Sequence, residues 1–176
     1  MATSMSDRVP DRLPLGEINA ADDATVIAVL RPCLDVDRWV AAVADGRPYP
    51  DLAALLAAAR SAAVPLTSDE VDQALSHHPR IGERAAGASA EAALSRSEQG
   101  GLTTDEDTAT RLAARNRSYE KQFGRVFLIR AAGRSSEEIL AALEQRLGND
   151  PATEAGVVAD QLRQIALLRL EGRVDP

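Results

Sequence analysis

Three groups of polar residues sit where an amphipathic chain should be apolar, and their types are those of acid–base chemistry. The chain of 176 residues has two histidines, His77 and His78, adjacent in the stretch "SHHPRIGER" at 76–84. His78 stands seven positions after Val71, four after Ala74 and three after Leu75, on the inward stripe of a helix that Pro79 should terminate. Carbonyls exposed at a helix end favour an imidazolium, so such a histidine can carry a proton near neutral pH. The competing reading is a capping or core histidine satisfied by a backbone carbonyl. In "SRSEQGG", Ser95, Glu98 and Gln99 stand at i, i+3 and i+4, so a hydroxyl, a carboxylate and an amide share one side of a helix before a double glycine. They can line a small polar pocket, or simply form a solvated helix end. Arg169 continues the stripe Val158, Leu162, Ile165. A guanidinium there needs either an acid partner such as Glu98 or a substrate carboxylate.

Other chemistries lack their signatures. No HExxH or Cys/His spacing accompanies the histidines, which argues against a metal site. "GRSSEE" has neither the lysine nor the spacing of a phosphate loop, and Ser95 lacks a nucleophile-elbow context. His77 reads as a bystander on the outer surface.

The elements that must position these groups read as helices. Hydrophobic residues make up 45% and charged residues 27% of the chain, as in ordinary globular proteins. The net charge of −7 argues against a non-specific nucleic-acid binder. The lone Cys33 allows no internal disulfide and reads as a small buried hydrophobe, so the cytoplasm is the expected location. No apolar run reaches the ~20 residues of a membrane span. The first 16 residues are expected to be a disordered leader, 17–172 a helical domain and 173–176 a tail.

Helix punctuation recurs along the chain. Asn19 is expected to cap a helix ending before Pro32, and Asp35 or Asp37 one ending at Gly46. Asp51 opens a third, halted near Pro65. Capping boxes pair Thr67 with Glu70, Thr103 with Glu106 and Ser135 with Glu138. Ser89 caps the helix that bears Ser95. Gly124 closes the Thr103 helix and Gly148 the Ser135 helix; the last helix runs from Pro151 to about Leu170. "RPYP" reads as a rigid connection that packs Tyr49. The expected class is all-α, a single compact bundle of seven to nine helices.

"HPRIG" at 78–82 followed by "SRSEQ" at 95–99 resembles the decarboxylases of 2-oxo-4-hydroxy-4-carboxy-5-ureidoimidazoline (OHCU), enzymes of the route from urate to allantoin. The likeness continues through "DRWV" at 37–40, "GRPY" at 46–49, "NRSYEKQFGRVFLIRAAGRSSEEILAALEQRLGND" at 116–150 and "ALLRL" at 166–170. It spans about Ile18 to Leu170. The fragments are individually loose, but their order and spacing are specific. Tyr49 departs from the pattern, which usually has phenylalanine there.

The resemblance implies a cofactor-independent, all-helical and often dimeric enzyme that forms (S)-allantoin and CO2. It implies His78 and Glu98 as the acid–base pair. Pro79, Ser95, Gln99, the main chain of Phe127, Leu128, Ile129, Arg130 and Ala131, and Arg169 would contact substrate. It implies a small-molecule substrate, with neither nucleic acid nor membrane as partner, and a homodimer as the assembly to look for. Two rivals stand beside it: an enzyme acting on another ureido or hydantoin compound, and a helical interaction module in which His78, Glu98 and Arg169 form a buried polar network.

Overall fold

Local capping chemistry sets most helix boundaries in the computed structural model, which describes residues 12–76, 78–83, 89–100, 102 and 104–176. Nine helices occur among the described residues, so the all-α class holds. Where the sequence points to one bundle, the helices gather into two compact units, Met1–Val64 with Leu167–Pro176, and Pro65–Ala166.

The first unit contains β1 (Leu13–Pro14), α1 (Leu15–Ala20), α2 (Asp23–Leu30), α3 (Asp37–Asp45) and α4 (Leu52–Ala62). Trp39 is completely buried and its indole N–H donates to the Ala59 carbonyl at 2.8 Å, which ties α3 to α4. Asn19 is not the expected cap. It lies inside α1, and its amide exchanges two hydrogen bonds with the Tyr49 backbone, both 2.9 Å. Asp22 caps α2 instead, accepting from the Thr25 N–H at 2.8 Å. Asp37 is the first residue of α3, whose N-cap is Val36, while Asp35 pairs with Arg31. The buried Tyr49 phenol donates to the Val43 carbonyl at 2.8 Å, and a Cβ on Gly46 would collide with that phenol.

The second unit contains α5 (Ser68–Leu75), α6 (Ala90–Gln99), α7 (Glu106–Phe123), α8 (Ser136–Arg146) and the start of α9 (Pro151–Arg173), which runs on to supply residues to the first unit. The capping boxes at Thr67 and Ser135, and the Ser89 cap, form as expected. The third box does not: α7 starts at Glu106, capped by Asp105, and Thr103 lies outside the described residues. Gly124 ends α7 at φ 69°, a left-handed conformation that suits glycine. The unit's core centres on Tyr119, Phe127, Ile129, Ile139 and Leu143.

The chain's two ends carry structure that no strand pattern announced. Leu13–Pro14 pair in parallel with β2 (Val174–Asp175), and α9 continues past Leu170 to Arg173. Residues 1–11 of the expected leader lie outside the described residues. Among the described residues no helix is long and apolar enough to cross a membrane.

Candidate functional site

The Thr67–Glu70 box starts α5, and the helix runs out at Leu75 because Pro79 is incompatible with continuation. His78 therefore sits just beyond the helix rather than on its stripe. Its backbone N–H donates to the Leu75 carbonyl at 2.9 Å, and its ring folds back so that Nδ1 meets the Ala74 carbonyl at 2.8 Å. A carbonyl only accepts, so Nδ1 carries the proton and Nε2 is the basic nitrogen of the neutral ring. Nε2 is sealed from solvent. His78 and Pro79 are both half-buried, and His77 lies outside the described residues.

The loop after His78 is held at three consecutive residues. The Arg80 guanidinium forms a fork with both carboxylate oxygens of Glu120 on α7. This pairing holds the Glu120 carboxyl below the usual glutamate range, the hydrogen bond from Arg80 being the largest cause. The buried Asn116 amide donates to the Ile81 carbonyl at 3.0 Å. The Gly82 N–H donates to Gln99 Oε1 at 3.1 Å. Gly82 adopts φ +87°, and a Cβ there would press on Leu112 at 3.3 Å.

On α6, Ser95 is buried, at 3% exposure, while Glu98 and Gln99 are half-buried. Ser95 and Gln99 line a cavity of about 300 Å³ together with Gly82 and Leu102. Glu98 turns elsewhere, since successive helical residues are about 100° apart. It lines a broader hollow of about 640 Å³ with Leu102, Ala131 and Arg134. Leu102 thus borders both spaces, and His78 is among the lining residues of neither.

Phe127, Leu128, Ile129 and Ala131 are buried and Arg130 half-buried, in a segment outside any helix. A non-helical backbone must find partners from side chains. The Leu128 carbonyl accepts from Arg146 at 2.7 Å, the Arg130 N–H donates to Gln161 at 2.8 Å, and the Ala131 carbonyl accepts from the Arg134 N–H at 3.0 Å. Among the described residues, the N–H and carbonyl of Ile129 have no protein partner, although the residue is only 5% exposed.

Arg146 is itself locked in place. It donates to Glu154 through Nε at 2.8 Å and through an Nη at 2.6 Å, and lies 4.5 Å over the Phe127 ring. Glu154 also accepts from the Tyr119 hydroxyl and, at 2.8 Å, from Asn149. Burial is the main reason the Tyr119 phenol is pushed up in pKa. Tyr119, Glu154 and Asn149, with Gln161, Asn116 and Glu120, escape a reading based on periodicity. Arg146 had one usable signal: it follows Ile139 and Leu143 on the buried stripe of α8, the pattern that drew attention to Arg169.

Arg169 is 4% exposed and donates to the Pro32 carbonyl at 3.0 Å. Both residues belong to the first unit, while every other candidate residue belongs to the second.

Comparison with known proteins points to one family. A chain from Haloferax volcanii named 2-oxo-4-hydroxy-4-carboxy-5-ureidoimidazoline decarboxylase is 29% identical over 164 residues, covering 92% of this chain and 96% of its own. One of the same name from Amia calva is 39% identical over 97 residues, 53% of this chain and 55% of its own. Among solved structures, an OHCU decarboxylase crystallised in the presence of (S)-allantoin superposes with a TM-score of 0.66 at 25% identity, covering 85% of this chain and 96% of that one. An (S)-allantoin synthase shares the fold, with a TM-score of 0.70 at 19% identity over 93% of this chain and 55% of that one. Residues 19–171 match the OHCU decarboxylase family, a span that takes in His78, the α6 triplet, the 127–131 segment and Arg169. The chain belongs to the OHCU decarboxylase family.

Proposed function

We propose that this protein decarboxylates OHCU to (S)-allantoin in urate degradation, without a cofactor. The observation that carries the reading is the family match across residues 19–171, which contains every candidate site residue. The Haloferax volcanii relative bears that activity's name over nearly its whole length.

OHCU carries a carboxylate and a hydroxyl on one ring carbon, beside a C=N bond. As the bond to CO2 breaks, its electron pair moves into the C=N bond, whose nitrogen takes up a proton. The hydroxyl then gives up its proton to become a carbonyl, and the neighbouring ureido-bearing carbon gains one. The substrate thus supplies its own electron sink. The protein has to bind it, hold an acid–base pair and restrict protonation to one face.

His78 fits the proton carrier because the Ala74 carbonyl fixes its tautomer with Nε2 basic. Glu98 serves as its acid–base partner. Ser95, Gln99 and the Ile129 backbone supply hydrogen bonds to the ring and ureido group, and Pro79 and the remaining 127–131 residues shape the site.

The test uses OHCU generated in place, with and without protein, followed by circular dichroism of the allantoin formed. Accelerated appearance of one enantiomer is expected; the rate and racemic outcome of the protein-free control would refute the reading. His78→Asn should abolish the acceleration while preserving the helical far-ultraviolet signal. Stabilisation against heat by allantoin separates a pocket enzyme from an interaction module, because only a ligand bound to the native state raises Tm by linkage.

A further inference from the structure

Arg134 is a cation that the mechanism above does not use. It closes a tight turn at the end of the 127–131 segment: its N–H donates to the Ala131 carbonyl at 3.0 Å, across Gly133 at φ +79°. Its side chain is half-buried and lines the same hollow as Glu98 and Ala131. Its Nε is sealed from solvent and has no acceptor among the described residues. Two acids, Glu98 and Glu137, line that hollow as well.

A guanidinium offers a planar fork matched to a carboxylate. We propose that Arg134 holds the carboxylate of the substrate and thereby selects the carboxylated ring over its decarboxylated product. This rests on the OHCU reading and adds a specificity-determining residue to it.

The chemistry dictates which kinetic constant responds. Negative charge leaves the carboxylate as CO2 forms, so an anchor on that group favours the ground state at least as much as the transition state. Arg134→Gln should therefore raise KM for OHCU about tenfold or more, the loss of one charge-assisted hydrogen bond. It should leave kcat undiminished and leave the inhibition constant of allantoin, which lacks the carboxylate, unchanged. Arg134→Lys should restore part of the loss. An unchanged KM would overturn the proposal, as would equal losses of OHCU and allantoin affinity.

A second arm needs no turnover. Hydantoin-5-acetate should raise Tm of the wild-type protein more than hydantoin does, and that excess should vanish in Arg134→Gln. An equal excess in both proteins, or none in the wild type, also overturns the proposal. Failure of wild-type turnover with the excess intact would remove the OHCU reading and leave the carboxylate site standing.

Discussion

The Leu128 carbonyl receives a guanidinium that is itself enclosed by Glu154, Tyr119 and Phe127, whereas the Arg80 fork two residues after His78 meets Glu120 nearer the surface. In the first pair the side chains are 8% and 2% exposed; in the second, 46% and 24%. Both brace non-helical chain that carries candidate site residues. The physics of the two braces differs. A buried ion pair has lost its hydration and depends on every partner staying in place, so it fixes one geometry. A surface pair keeps access to water and contributes little to stability, so it can let go at small cost. The segment proposed to offer backbone groups to the substrate is therefore anchored rigidly, and the loop that bears the proposed proton carrier is held by weaker, exchangeable contacts.

The largest effect expected from breaking this contrast is at the buried brace. Arg146→Met strands the Glu154 carboxylate in a site where its remaining donors, Tyr119 and Asn149, cannot balance the charge. Urea unfolding should show a loss of about 3–5 kcal/mol. Adding Glu154→Leu to that variant should recover much of the loss, because two apolar side chains of similar volume need no hydration. A double variant no more stable than Arg146→Met would show that the pair matters for something other than its own charges.

A middle-sized effect belongs to Asn116, which braces the His78 loop from inside. Asn116→Ala removes the donor to the buried Ile81 carbonyl, a loss of about 1–3 kcal/mol. The same change deletes Oδ1, a buried acceptor that has no partner among the described residues, which should keep the cost toward the lower end. Asn116→Asp is the sharper probe. It turns a carboxylate oxygen toward a carbonyl and should destabilise more than alanine, in a comparison of denaturant midpoints. Alanine proving the worse replacement would mean that Oδ1 has a partner in solution.

The difference between the two braces also explains what the sequence disclosed. Thr67 with Glu70, Ser135 with Glu138, Ser89 and Gly124 act within four residues of themselves, so their types and spacing announce the helix ends they make. Asn19 looked equally like a cap, but its partner is Tyr49, thirty residues away, and nothing local records that choice. The Leu13–Val174 pairing is invisible for the same reason. At the site, Ser95 and Gln99 were legible from helical spacing and do share a cavity, whereas the same spacing grouped Glu98 with them and the helix turns it into a different hollow. Arg146 and Glu154 sit on different helices, across the turn between α8 and α9, so no single period links them.

The smallest effect is at the exposed fork, and its signature is the pH dependence. Arg80 holds Glu120 below the ordinary glutamate value near 4.5 in the folded state. The unfolded chain, lacking that partner, binds the proton more readily. Stability from this pair is therefore fully present above the ordinary value and is lost as pH falls through the depressed folded value. Glu120→Gln should cost no more than about 1 kcal/mol at pH 7. Below the folded value, where wild-type Glu120 is itself protonated, the difference should disappear, so the two acid-unfolding curves converge. A gap between them that widens on acidification would mean that Glu120 is not paired with Arg80 in solution, and the contrast between a fixed segment and a releasable loop would lose its second half.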